Sequence, residues 1–156
     1  MIDITPLTYY QLSNDWDLVF VDNPLLQFRI KSCSLPFLNL SVEAKKTGEK
    51  YYSGITHVNE FSIEVYETIT FETYKYFKAW QDLIFNPVTM TFNIAPTPDA
   101  FDKNATLLFN VGFVPNGVQR FTLEGLKLKG FAPLSLNYET GTALTYTVNM
   151  SVKRVI

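Results

Sequence analysis

The spacing of apolar and polar residues changes along this chain, and each change marks an element. Over 143–154, Leu144, Tyr146, Val148, Met150 and Val152 alternate with Thr145, Thr147, Asn149 and Ser151. A period of two places the first set on one face of a β-strand and the second on the other. The same period runs through 60–67, where Phe61, Ile63 and Val65 alternate with Ser62, Glu64 and Tyr66. Over 71–85 the period lengthens. Tyr74, Phe77, Trp80, Ile84 and Phe85 recur at mostly three- and four-residue steps with no Gly or Pro among them, which predicts an amphipathic helix. Thr70 is its expected N-cap and Asn86-Pro87 its stop. One helix cannot hide the stripe carrying Phe77, Trp80 and Ile84, so the helix is expected to pack on a sheet.

Further strands are predicted at 17–21, 26–32, 88–94, 107–113, 119–129 and 134–138. An Asp22-Asn23-Pro24 turn separates the first two, and Pro36 ends the second. Val114-Pro115-Asn116-Gly117 joins 107–113 to 119–129 as a hairpin, and Glu139-Thr140-Gly141-Thr142 turns the chain into its last strand. Within 119–129 the alternation slips at Gly125: Phe121 and Leu123 share a face, and Leu126 and Leu128 resume it one residue late. One extra residue predicts a β-bulge. The stretch 95–104, with Pro96, Pro98, Asp99 and Asp102, reads as an irregular loop. Over 38–55, Leu40 and Val42 alternate with Ser41 and Glu43, and a charged tip from Lys45 to Lys50 leads into Tyr51-Tyr52. That predicts a projecting hairpin, either a loose loop or a contact arm. The sum is one domain over 1–156: mainly β, a sandwich or barrel of antiparallel strands with one flanking helix at 71–85.

Composition narrows the function classes. At 156 residues the chain can bury a real core, and its aromatic content of 15% suits pleated sheet. Thirteen basic residues stand against fifteen acidic ones without a basic cluster. Tight gripping of a nucleic-acid duplex, which needs such a cluster, is therefore not expected. The single cysteine, Cys33, allows no disulfide within the chain. The first ten residues lack the basic-then-apolar signature of a signal peptide, and no apolar run is long enough to anchor the chain in a membrane. The sequons at Asn39, Asn104 and Asn149 are read as accidental.

No constellation for catalysis stands out. His57 is the only histidine, so no metal site of known spacing forms around it. Cys33 lies beside Ser32 and Ser34 and is read as an inert thiol. Glu60, Glu64, Glu67 and Glu72 cluster in sequence; Glu60 and Glu64 could form a glycosidase-like pair, but a solvated strand face explains them as well. Trp16 and Trp80 could form a sugar platform, though strand and helix packing account for both. Gly112 to Gly117 and Gly125 to Gly130 lack the context of a phosphate loop. No cofactor is expected and no enzyme activity. A small-ligand or carbohydrate-binding β-barrel, with the aromatic residues and Glu60/Glu64 as its site, is the alternative from another class.

Several segments, taken in order, resemble the tail tube proteins of contractile-tailed bacteriophages. Trp16-Asp-Leu-Val-Phe-Val, followed by Phe28-Arg-Ile-Lys-Ser-Cys-Ser-Leu-Pro36, looks like the family's opening strand pair. Phe61-Ser-Ile-Glu-Val-Tyr-Glu67, followed by Phe77-Lys-Ala-Trp80-Gln81, is similar to its strand and helix. Phe121-Thr-Leu-Glu-Gly-Leu-Lys-Leu-Lys-Gly130-Phe131-Ala-Pro133 resembles its strand and corner, and 144–152 its closing strand. The likeness runs from Asp15 to the C-terminus, with 87–104 outside it.

The resemblance implies stacked hexameric rings, with strands of all subunits shared in one barrel around a channel that conducts the viral genome during ejection. The implied partners are other copies of the chain, the tail sheath, baseplate and tail-terminator proteins, and DNA in transient, non-specific passage. The implied location is the virion, after synthesis in the host cytoplasm. Variants on the same theme are a baseplate-proximal tube protein and a contractile injection system tube protein. Ser62, Glu64, Thr145, Thr147, Asn149 and Ser151 are the candidate lumen face. Lys45, Lys46, Glu49, Lys50, Tyr51 and Tyr52 are the candidate arm to a neighbouring ring.

Overall fold

The computed structural model describes residues 16–35, 39–56, 60–110, 118–134, 136, 138 and 141–156. Pro36, His57 and the Asn116-Gly117 turn lie outside the described residues, as do Glu139 and Thr140 of the last turn.

In chain order the elements are β1 (Trp16–Phe20), a 3-10 turn (Pro24–Arg29), β2 (Ile30–Cys33), β3 (Asn39–Ala44), β4 (Lys50–Thr56) and β5 (Glu60–Tyr66). Then come α1 (Glu72–Ile84), β6 (Phe85–Asn86), β7 (Thr91–Phe92), β8 (Lys103–Asn110), β9 (Val118–Phe131), β10 (Thr145–Ser151) and β11 (Arg154–Val155). The main sheet runs β1-β8-β9-β10-β5-β2, with β11 added to β9, and every pairing is antiparallel. Two smaller sheets, β3-β4 and β6-β7, stand apart from it.

The 14-residue β9 ties the sheet together, pairing with β8 through its first part and with β10 through its last. Its bulge falls at Gly125. Lys103 pairs with Leu126 but Ala105 with Leu123, so one extra residue of β9 faces Asn104. Gly125 takes φ +67°, and a Cβ there would lie 2.6 Å from the Cβ of Lys153. Only glycine meets both demands. The Asn104 side-chain oxygen accepts the Gly125 N–H at 3.1 Å, so the bulged amide keeps a partner.

The bulge keeps Leu123 and Leu126 on the inner face, where both are fully buried. That face also carries Leu18, Phe20, Leu107, Phe61, Ile63, Val65, Val148 and Met150. The helix closes over it. Phe77 meets Phe20 and Phe131 edge-on, with ring centroids 6.3 and 6.2 Å apart, and stacks on Trp80 at 6.4 Å. The Trp80 indole donates to the Phe101 carbonyl at 2.8 Å, so its polar end is satisfied inside the core.

Four local expectations need correction. The strand predicted over 26–32 begins only at Ile30, and Leu26–Arg29 belong to the 3-10 turn. Pro24 presets the first helical φ. Leu26 is the buried residue of the turn, and Phe28 is exposed. Thr70 does not cap α1; the N-cap position is Phe71, in a left-handed conformation. The strand predicted over 88–94 shrinks to β7, paired with β6. The described residues of 134–138 are not in a strand.

Candidate functional site

The register of β5 and β10 assembles a polar face. Thr147 pairs with Glu64, Asn149 with Ser62 and Ser151 with Glu60, while Thr145 pairs with Tyr66. Because side chains alternate, these residues lie opposite Phe61, Ile63, Val148 and Met150. Asn149 is exposed, and Ser62, Glu64, Thr145, Thr147 and Ser151 are half-buried. Ser32 on β2 and Lys127 on β9 extend the face on either side, opposite Glu64 and Ser151. Charges here come in pairs. Lys31 bonds Glu64 at 3.4 Å, Lys129 bonds Glu60 at 3.2 Å and Lys127 bonds Asp102 at 2.7 Å. A shallow groove of about 600 Å³ crosses the face past Ser62, Asn149 and the Lys129–Glu60 pair.

The sequence-predicted arm residues are all exposed, on β4 and the β3-β4 turn. Gly48, at φ +87°, makes the tight turn, and Lys45 N–H donates to the Glu49 carbonyl at 2.8 Å. Lys45 reaches Glu49 at 3.6 Å and lies over the Tyr51 ring at 5.8 Å; the Tyr51 hydroxyl donates to Glu43 at 3.1 Å. Tyr52, opposite Val42, is left exposed beside Leu40 and Val42. Those three residues share an apolar side of a two-stranded ribbon, a form that is marginal by itself in water.

The helix seat holds Phe77 and Trp80 fully buried and Ile84 half-buried. It also contains two anchors that local sequence patterns did not reveal. Glu67, just past β5, accepts the N–H groups of Thr68, Thr73 and Tyr74 at 2.9, 3.2 and 2.9 Å, and the Tyr146 hydroxyl at 2.7 Å. A carboxylate at a helix start satisfies orphan donors and complements the helix dipole. Burial and the bond to Glu67 push the Tyr146 hydroxyl pKa up, so this tyrosine stays a donor.

The second anchor is Asp22, which accepts from the Tyr76 hydroxyl at 2.7 Å and from Lys103. Burial works to raise the Asp22 pKa, but the Lys103 and Tyr76 hydrogen bonds and the Lys103 charge hold it below its ordinary value. Lys103 also sits 5.1 and 5.3 Å from the rings of Tyr76 and Trp80, a cation–π seat.

The other chemical candidates are occupied structurally. Glu60 and Glu64 lie four residues apart on β5, about 13 Å of strand, against about 5–9.5 Å for glycosidase carboxylates. Each is drawn to a different lysine. Cys33 is half-buried, and burial pushes its thiol up to about 11, so it is a protonated thiol and a weak nucleophile at neutral pH. Trp16 begins β1 and Trp80 is core, so the two do not form a platform. Among the described residues, no three potential metal ligands converge, and no helix is long and apolar enough to cross a membrane.

No protein-family model matches the chain, and no curated protein matches it in sequence. Its fold, however, has clear counterparts. The sheath/tube terminator of the extracellular contractile injection system PVC superposes with a TM-score of 0.66 at 9% identity, over 96% of this chain and 97% of that one. The tube-terminating cap of the anti-feeding prophage gives 0.67 at 10% identity, over 99% and 94%. A chain of the PVC sheath–tube complex gives 0.62 at 8% identity, over 95% and 90%. The chain therefore has the tube-type fold of contractile injection systems.

Proposed function

We propose that this protein is a structural subunit of a contractile-tail tube. Six copies form a ring, rings stack, and the channel conducts the viral genome during ejection through the host envelope. The observation that carries this reading is the full-length correspondence in fold to tube-terminating chains of contractile systems. The edges of the main sheet support it. β1 and β2 end the described strand order, and a sheet edge offers unpaired backbone groups to another copy. Joined edge to edge, six sheets would close into one barrel with the polar face of β5 and β10 toward the bore. The lysine–carboxylate pairing of that face suits a passage for DNA, because each lysine free to neutralise a phosphate would strengthen adhesion. The β3-β4 hairpin is the arm to the neighbouring ring, and sheath and baseplate proteins are the outer partners.

A second reading places the chain at the end of the tube rather than along it. The terminator and cap chains superpose with TM-scores of 0.66 and 0.67, against 0.62 for the sheath–tube chain. Negative-stain electron microscopy of the purified protein tests both. Stacked tubes support the main reading, and single rings that refuse to stack support the second. A protein that stays monomeric at high concentration contradicts both.

A further inference from the structure

The segment from Leu83 to Pro98 contains no charged residue, yet much of it is exposed. Val88, Met90 and Phe92 are 89, 73 and 76% exposed on and beside the β6-β7 turn. This hairpin is firmly built. Asn93 donates its side-chain amide to the carbonyls of Asp82 and Leu83 at 3.1 and 2.9 Å, and the Phe85 and Phe92 rings meet at 5.2 Å. The Asn86 side chain caps the turn, accepting Val88 N–H at 2.9 Å. Met90 is held at φ 57°, a conformation unfavourable for a bulky side chain. A rigid, strained, apolar tip facing water is the form of a preorganised binding knob.

The opposite end of α1 carries an apolar cavity. Phe71, Tyr74, Phe131, Leu134, Leu144 and Tyr146 line an apolar cleft of about 260 Å³. At about 30 Å³ per water, that is room for roughly eight to nine waters, enough for a large side chain. Phe71 and Met90 are the two non-glycine residues with positive φ among the described residues; one lines the cleft and the other tips the knob. The 13 residues of α1 separate the two sites by about 20 Å, so a hairpin held at the end of its own helix cannot reach its own cleft.

We infer that the β6-β7 hairpin of one copy seats in the Phe71–Tyr74–Leu134 cleft of the next copy. Because knob and hole are different surfaces, the contact is heterologous: repeated, it closes a ring or runs on as a filament. This inference rests on the reading that copies of the chain assemble with one another, and adds which surfaces meet.

The test mixes two full-length variants and reads association by sedimentation velocity. Met90→Asp removes the knob with a residue that tolerates left-handed φ; Leu134→Asp spoils the cleft at a half-exposed position. Each variant alone is expected to associate at least tenfold more weakly than wild type. Their equimolar mixture is expected to regain one intact contact and form 1:1 dimers. In a Cys33→Ser background, Met90→Cys with Leu134→Cys is expected to cross-link between copies. Rings that persist unchanged in both aspartate variants, without that cross-link, would overturn this contact and leave the tube reading standing. A wild-type protein that never associates would overturn both.

Discussion

Strands β5 and β10 carry two faces of opposite chemistry on one seven-pair register. On the inner face Phe61, Ile63, Val65, Val148 and Met150 are at most 1% exposed. On the outer face Ser62, Glu64, Thr147 and Asn149 keep contact with solvent and hold their one charge in an ion pair. Position parity therefore divides the work: even a one-residue slip would exchange the faces. The inner positions determine whether the chain folds, and the outer ones determine what the folded surface can touch. The two roles can be perturbed separately.

The largest effect belongs to the inner face. Phe61→Ala should cost about 3–5 kcal/mol, read as a lower midpoint in urea denaturation. Next comes the device that keeps the inner face in phase. Gly125→Ala meets both a left-handed φ and the Lys153 side chain, and should destabilise by about 1–3 kcal/mol in the same measurement.

A smaller effect is expected at the helix anchor. Asp22 titrates below its ordinary carboxylate value of 3.8 when folded, so its contribution is present above that value and lost as pH falls through the folded value. Asp22→Asn should therefore be less stable than wild type at neutral pH and should converge on it in acid, in thermal melts across pH 2–7. The smallest effect on stability, within about 0.5 kcal/mol, is expected on the outer face for Thr147→Lys with Asn149→Lys. That variant should instead gain salt-sensitive DNA binding, seen as retention on immobilised DNA at low salt that is lost on adding salt. Unchanged DNA retention would blur the division between the faces.

The parts of the fold legible in the sequence are those fixed by local periodicity. Strands β5 and β10, helix α1 and the Gly125 bulge follow from the spacing of Phe61 to Val65, Val148 to Val152, Phe77 to Trp80 and Leu123 to Leu126. The missed parts depend on distant partners. Phe28 and Ile30 alternate like a strand, yet Pro24 and the buried Leu26 make 24–29 a 3-10 turn. Periodicity points to a cap next to the helix, at Thr70, whereas Glu67 satisfies the first helical N–H groups from the end of β5 and is itself engaged by Tyr146. The β6-β7 knob and its cleft left little trace in periodicity, because β7 pairs for only two residues and the cleft gathers side chains from 67 to 146.

On the proposed function, the outer face of β5 and β10 lines a shared bore. A cryo-electron microscopy reconstruction of the assembled protein tests it most directly. Rings are expected in which Thr147 and Asn149 of every copy face the central channel, with α1 on the outside. Rings with α1 facing the channel and Asn149 on the outer wall would contradict it.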